Sequence, residues 1–121
     1  MNALKGAIIA VVSSLFVAIL FAYTFRLPIP MAGMLGPLGD LNPYGESVFG
    51  IVQSVIIAWL FYGAFGGFVV VAIFGAIAGF VAGRKNANLR NKNSRIVLWS
   101  VIASCIPVFF LSTLDYMVGP W

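Results

Sequence analysis

Charged and apolar positions are segregated along this chain. Three apolar runs, Gly6–Phe25, Ser47–Gly83 and Ile96–Leu114, contain none of its ten charged residues. The charges fall instead at Lys5, Arg26, Asp40, Glu46, the segment Arg84–Arg95 and Asp115. An α-helix rises about 1.5 Å per residue, so about 20 apolar residues match a hydrocarbon layer of roughly 30 Å. The pattern therefore predicts an all-α integral membrane protein with three transmembrane helices, at about 4–25, 61–83 and 96–114. All of residues 1–121 belong to this single membrane domain.

The second run is too long for one span. Its 37 uncharged residues would form a helix of about 55 Å, yet two spans and a turn need more than about 40 residues. Trp59 and Tyr62, taken as interfacial aromatics, divide it. Up to that point, Glu46, Gly50, Gln53, Ser54 and Ala58 fall largely opposite Val48, Ile51, Val52, Val55 and Trp59. That amphipathic pattern predicts an interfacial helix at about 46–59, with a bend at Gly63, Gly66 and Gly67. One long tilted helix is the alternative.

Charge sets the expected orientation. Arg84, Lys85, Arg90, Lys92 and Arg95 form a basic loop between spans, and Lys5 joins them on the same side. Lys/Arg bias in short loops places that side in the cytoplasm, so the N-terminus is in and the C-terminus out. Asn88 is then cytoplasmic, and Asp40 and Trp121 are external. Tyr23, Tyr116 and Trp121 near the outer ends and Trp99 near the inner start agree with this assignment. The pI near 9.7 is thereby explained by topology, and no nucleic-acid partner is expected. The segment Ala22-Tyr23-Thr24-Phe25-Arg26 lacks a small-x-small cleavage pattern, so the first run is expected to remain as a helix.

Between the first two runs, Pro28, Pro30, Pro37 and Pro43 alternate with Gly33, Gly36, Gly39 and Gly45. Missing donors and permissive backbones argue against a regular helix there. Met31, Met34, Leu35, Leu38 and Leu41 keep this connector apolar, either as an ordered loop or as a contact surface.

Small residues recur every four positions in each span. The first carries Gly6, Ala10, Ser14, Ala18 and Ala22; the second Gly63, Gly67, Gly75, Gly79 and Gly83; the third Ser100, Ser104 and Ser112. Lipid supplies no hydrophobic force between helices, so such ladders act by letting backbones approach. The glycines split into an outer patch (Gly63, Gly66, Gly67) and an inner patch (Gly75, Gly79, Gly83). Either both make internal contacts or one meets another subunit. Pro107 should free the carbonyl of Ala103 and bend the third helix, with Ser104 available to compensate.

Reactive chemistry is scarce. There is no histidine, and Cys105 is the only cysteine, which leaves out the usual haem, zinc and iron–sulfur ligand sets. The acids Asp40, Glu46 and Asp115 are expected outside the spans, with Asp115 a polar terminus at the interface. No phosphate-loop or nucleophile-elbow motif occurs. The chain is therefore not expected to be an enzyme, and no cofactor beyond a structural lipid is expected.

Lys5-Gly6-Ala7 resembles the processing site of type IV pilins over three residues, although two further spans are foreign to a pilin. Glycine-ladder spans with a basic loop are similar in type to holins, small transporter halves and accessory subunits. The expected function is a non-catalytic structural or accessory subunit of a larger membrane complex in the cell (plasma) membrane, with other membrane subunits as partners in a hetero-oligomer. The alternative is a homo-oligomeric, holin-like pore lined by Ser and Thr.

Overall fold

The computed structural model describes residues 1–31, 33–38, 47–84 and 89–118. Four helices and a short hairpin follow one another: α1 (Asn2–Thr24), β1 (Leu27–Ile29), β2 (Gly33–Leu35), α2 (Val48–Tyr62), α3 (Phe68–Arg84) and α4 (Leu89–Val118). Three helical segments are long and apolar enough to cross a membrane: Asn2–Thr24, Val48–Arg84 and Asn91–Val118. The chain is an all-α membrane protein carrying one small hairpin.

α1, α3 and α4 pack pairwise into a bundle. The ladder of α1, Gly6, Ala10, Ser14, Ala18 and Ala22, is buried along its whole length. Leu4, Ile8, Val12, Phe16 and Leu20 form the opposite, exposed row. α4 buries Ile96, Ser100, Ser104, Val108 and Ser112, again every fourth residue. Its first turns contain Arg90, Lys92 and Arg95, which the sequence reading assigns to a loop. Leu, Arg and Lys are good helix formers, so the helix starts before its apolar run does. Lys85, Asn88, Asp40, Glu46, Leu41 and Trp121 lie outside the described residues.

The span expected at 61–83 is interrupted. Phe65 and Gly66 leave helical geometry, and Gly66 adopts φ 104°, a left-handed conformation suited to glycine. α3 by itself is 17 residues, about 25 Å long and short of a full hydrocarbon layer. The helix expected at 46–59 exists as α2, capped by Ser47, whose side chain accepts from the Gly50 amide at 3.1 Å. Its faces depart from the amphipathic reading: Gln53 is exposed, but Val55 is buried on the same side as the small residues. Gly50, Ser54 and Ala58 are turned into the protein, while Phe49, Ile56, Ile57, Leu60 and Phe61 point outward. Spacing by four makes those three residues a further small-residue ladder.

α1 ends before Leu27-Pro28, because a residue preceding proline is pushed out of the helical region. β1 and β2 pair antiparallel, Leu27 opposite Leu35 and Ile29 opposite Gly33. Leu27, Ile29, Met34 and Leu35 are buried, so this connector is folded onto the bundle. Met31 at the tip has φ 59° and is fully exposed.

Orientation is testable with single cysteines in a Cys105→Ser background. Met31→Cys at the hairpin tip is expected to react with an impermeant maleimide on intact cells, and Ser94→Cys near the start of α4 only after permeabilisation. The reverse pattern would invert the topology.

Candidate functional site: a buried ion pair beside an apolar cavity

The bundle's hairpin end carries two charges that the apolar-run pattern leaves outside the spans. Asp115 lies within α4, only 7% exposed, and Arg26 is 5% exposed. The Arg26 Nη2 atom is 3.9 Å from Asp115 Oδ2. Asp115 is thus not a solvated terminus. α4 continues through Val118, and the hairpin folds over its last turns, which takes the carboxylate out of water. The guanidinium sits over the Tyr116 ring, 5.2 Å from its centroid, and its Nη1 donates to the Leu38 carbonyl at 3.3 Å.

These contacts form a strap. The Leu38 amide donates to the Phe25 carbonyl at 3.2 Å. Gly36, at φ 118°, lies so close to the end of α1 that a Cβ there would stand 2.7 Å from the Phe25 carbonyl oxygen. Only glycine satisfies both the angle and the space. One turn before Asp115 on α4, Ser112 is fully buried. Its Oγ and the Thr113 Oγ1 make no hydrogen bond among the described residues.

Farther along the bundle, two adjacent serines join three helices. Ser13 Oγ donates to Ser104 Oγ of α4 at 3.2 Å. Ser14 Oγ accepts from the Trp59 indole of α2 at 2.8 Å and donates to the Val11 carbonyl at 2.7 Å. Trp59 therefore reaches the middle of α1 instead of marking an interface. Ser104 donates to the Val101 carbonyl at 2.7 Å, so it does not compensate the Ala103 carbonyl as expected. Interhelical bonds of this kind average about 0.6 kcal/mol in a membrane protein and chiefly fix register.

The inner glycines meet α1. Gly75 lies against Gly6 and Ala10, Gly79 against Asn2 and Gly6, and Gly83 against the Asn2 side chain. Of the outer patch, Gly63 is covered by the Phe68 ring and Gly67 by the Tyr62 carbonyl. The inner patch thus makes an internal contact with α1, whereas the outer patch touches only the segment around its own break, and nothing lies within 4 Å of a Cβ built on Gly66. Of the basic residues assigned to topology, Arg84 lies over the Phe80 ring, 4.6 Å from its centroid, at the C-terminus of α3, where a cation is favoured.

Between the α2–α3 break, α1 and α4 lies a cavity of about 580 Å³. Its walls are almost wholly apolar and include Ala18, Phe68, Val71, Pro107 and Leu111. Phe65, Val70, Phe110 and Leu114 also line it and are exposed, so it opens sideways between α3 and α4. Leu27 of the hairpin and Tyr62 line it too.

No protein-family model matches the sequence, and no curated protein or solved structure matches it. Among the described residues, no group of three or more Cys, Asp or Glu side chains is placed to hold a metal ion. The arrangement suits holding and packing: a clamp at one end, a serine tie at mid-height and a glycine contact at the other end. The clamp and the inward ladder of α2 escaped sequence reading. A spacing of four at Gly50, Ser54 and Ala58 was the available signal for the ladder.

Proposed function

We propose that this chain is a non-catalytic accessory subunit of a larger membrane complex, residing in the cell membrane and associating with other membrane subunits. The observation that carries the reading is the sorting of side chains within the spans. Ser14, Ser54, Ser100, Ser104 and Ser112 are buried, whereas the outward rows are bulky and apolar. Two polar contacts, Ser13 with Ser104 and Trp59 with Ser14, tie this chain's own helices together, and the outer surface suits lipid and neighbouring helices.

The pore reading needs a polar stripe facing a shared axis. Ser100, Ser104 and Ser112 are the stripe available on α4, and they face the bundle interior. The accessory reading is thus better supported.

Purification in mild detergent should recover the chain with one or more larger membrane proteins, and deletion of such a neighbour should lower its abundance. Reconstituted alone into liposomes, the chain should pass neither ions nor dye. Reproducible flux that disappears in a Ser100→Leu/Ser104→Leu variant would defeat this reading and favour the pore.

A further inference from the structure

We propose that the cavity between the α2–α3 break and α4 is a binding site for one acyl chain of a membrane phospholipid. The inference stands apart from the accessory-subunit reading, since a bound lipid chain requires no protein partner. Two helix-breaking residues build the site. Gly66, at φ 104°, redirects the chain between α2 and α3, and Pro107 contributes to the wall from within α4. Neither device is needed for a plain three-helix contact, and Phe65 and Gly67, which flank Gly66, line the same space as Pro107.

Depth and direction identify the occupant. Ser14 lies midway along α1 and Pro107 midway along the third apolar run, so the cavity is level with the hydrocarbon of a surrounding bilayer. It opens sideways, past the exposed Val70 and Phe110, toward lipid tails. Inside, the Trp59 indole and Ser14 hydroxyl bond to each other at 2.8 Å. They are therefore poor anchors for a polar ligand, which would leave its own groups unsatisfied there. Tyr62, whose hydroxyl can donate a hydrogen bond, lines the cavity together with Leu27 of the hairpin. That end suits the ester region of a lipid.

Size separates a chain from a helix. The cavity of about 580 Å³ falls within the usual range for ligand pockets, about 300–1,000 Å³. A helix with its side chains is about 10–12 Å across and advances about 5.4 Å per turn, so little more than one turn would fit. A flexible chain of methylene groups can occupy the whole volume and restore the dispersion contacts that a void forfeits.

The test uses the full chain with Trp99→Phe and Trp121→Phe, leaving Trp59 as the only tryptophan. The purified, delipidated protein is titrated in detergent with phosphatidylcholine brominated at mid-chain. Saturable loss of Trp59 emission, reversed by the same lipid without bromine, is the expected result. Emission loss that only follows the bulk lipid fraction would overturn the proposal. Filling the cavity with Val70→Phe and Leu111→Phe should abolish the saturable component while circular dichroism stays unchanged. Saturable quenching that survives in the folded, filled variant would also overturn it. Should that variant fail to fold, native mass spectrometry of the unsubstituted chain decides. A retained phospholipid supports the assignment; a retained isoprenoid, a retained peptide or no retained lipid refutes it.

Discussion

Gly79→Leu is expected to destabilise the bundle strongly, while Phe80→Leu, one residue along, leaves it nearly unchanged. A Cβ on Gly79 would stand 2.5 Å from the Asn2 carbonyl oxygen and 2.8 Å from the Gly6 Cα. Both are backbone atoms, which cannot rotate away as a side chain could. The helices must part, and the close approach that lets Gly6 meet Gly75 is lost with them. Overpacking of this kind costs about 1–3 kcal/mol, with rigid backbone neighbours placing Gly79 toward the upper end. Phe80 is half-exposed on the outer face, where leucine keeps the apolar contact and gives up only the exposed Arg84 stacking, about 0.5–1 kcal/mol. Thermal unfolding in detergent, run on both variants and the parent, measures the difference. Equal midpoints for the two variants would show that α1 and α3 are not in contact at Gly79.

Breaking the clamp should cost more. Arg26→Met removes the guanidinium that lies 3.9 Å from the buried Asp115 carboxylate, and Asp115→Leu removes the carboxylate beside the buried Arg26. Removing one partner of a buried pair typically costs about 3–5 kcal/mol, whereas replacing both by apolar residues is often neutral or stabilising. The double variant Arg26→Met/Asp115→Leu is therefore expected to recover most of the stability lost by either single change. A residual deficit is expected because Arg26 also donates to the Leu38 carbonyl. Denaturant unfolding of the parent, both singles and the double gives the coupling energy directly. A double variant as unstable as the sum of the singles would mean that the two charges do not interact.

The parts legible in the sequence are those that lipid itself dictates. The first run became α1 almost residue for residue, because an uninterrupted apolar stretch has no other way to satisfy its backbone in hydrocarbon. The four-residue ladders likewise marked the buried faces of α1, α3 and α4. The same rule was available for Gly50, Ser54 and Ala58, but Gln53 and Ser54 made that face look water-directed. Ser54 is instead satisfied by its own helix, donating to the Gly50 carbonyl at 2.7 Å. The hairpin was hidden because three-residue strands containing Pro28 carry too little alternation to register. Arg26 and Asp115 were read separately as interfacial charges, and nothing local in either segment points to the other. The start of α4 was missed for a simpler reason: hydropathy reports where a helix enters lipid, not where it begins.

The ion pair also orders the events of biosynthesis. Arg26 is made near the beginning of the chain and Asp115 near its end, separated by the whole of α2 and α3. Synthesis delivers the N-terminal part first, so Arg26 precedes its partner and has to wait at the headgroup level, where water and lipid phosphates can solvate it. The hairpin can close over the end of the bundle only after α4 has been inserted and has presented its carboxylate. An exposed guanidinium on a loose hairpin thus distinguishes an incomplete bundle from a closed one.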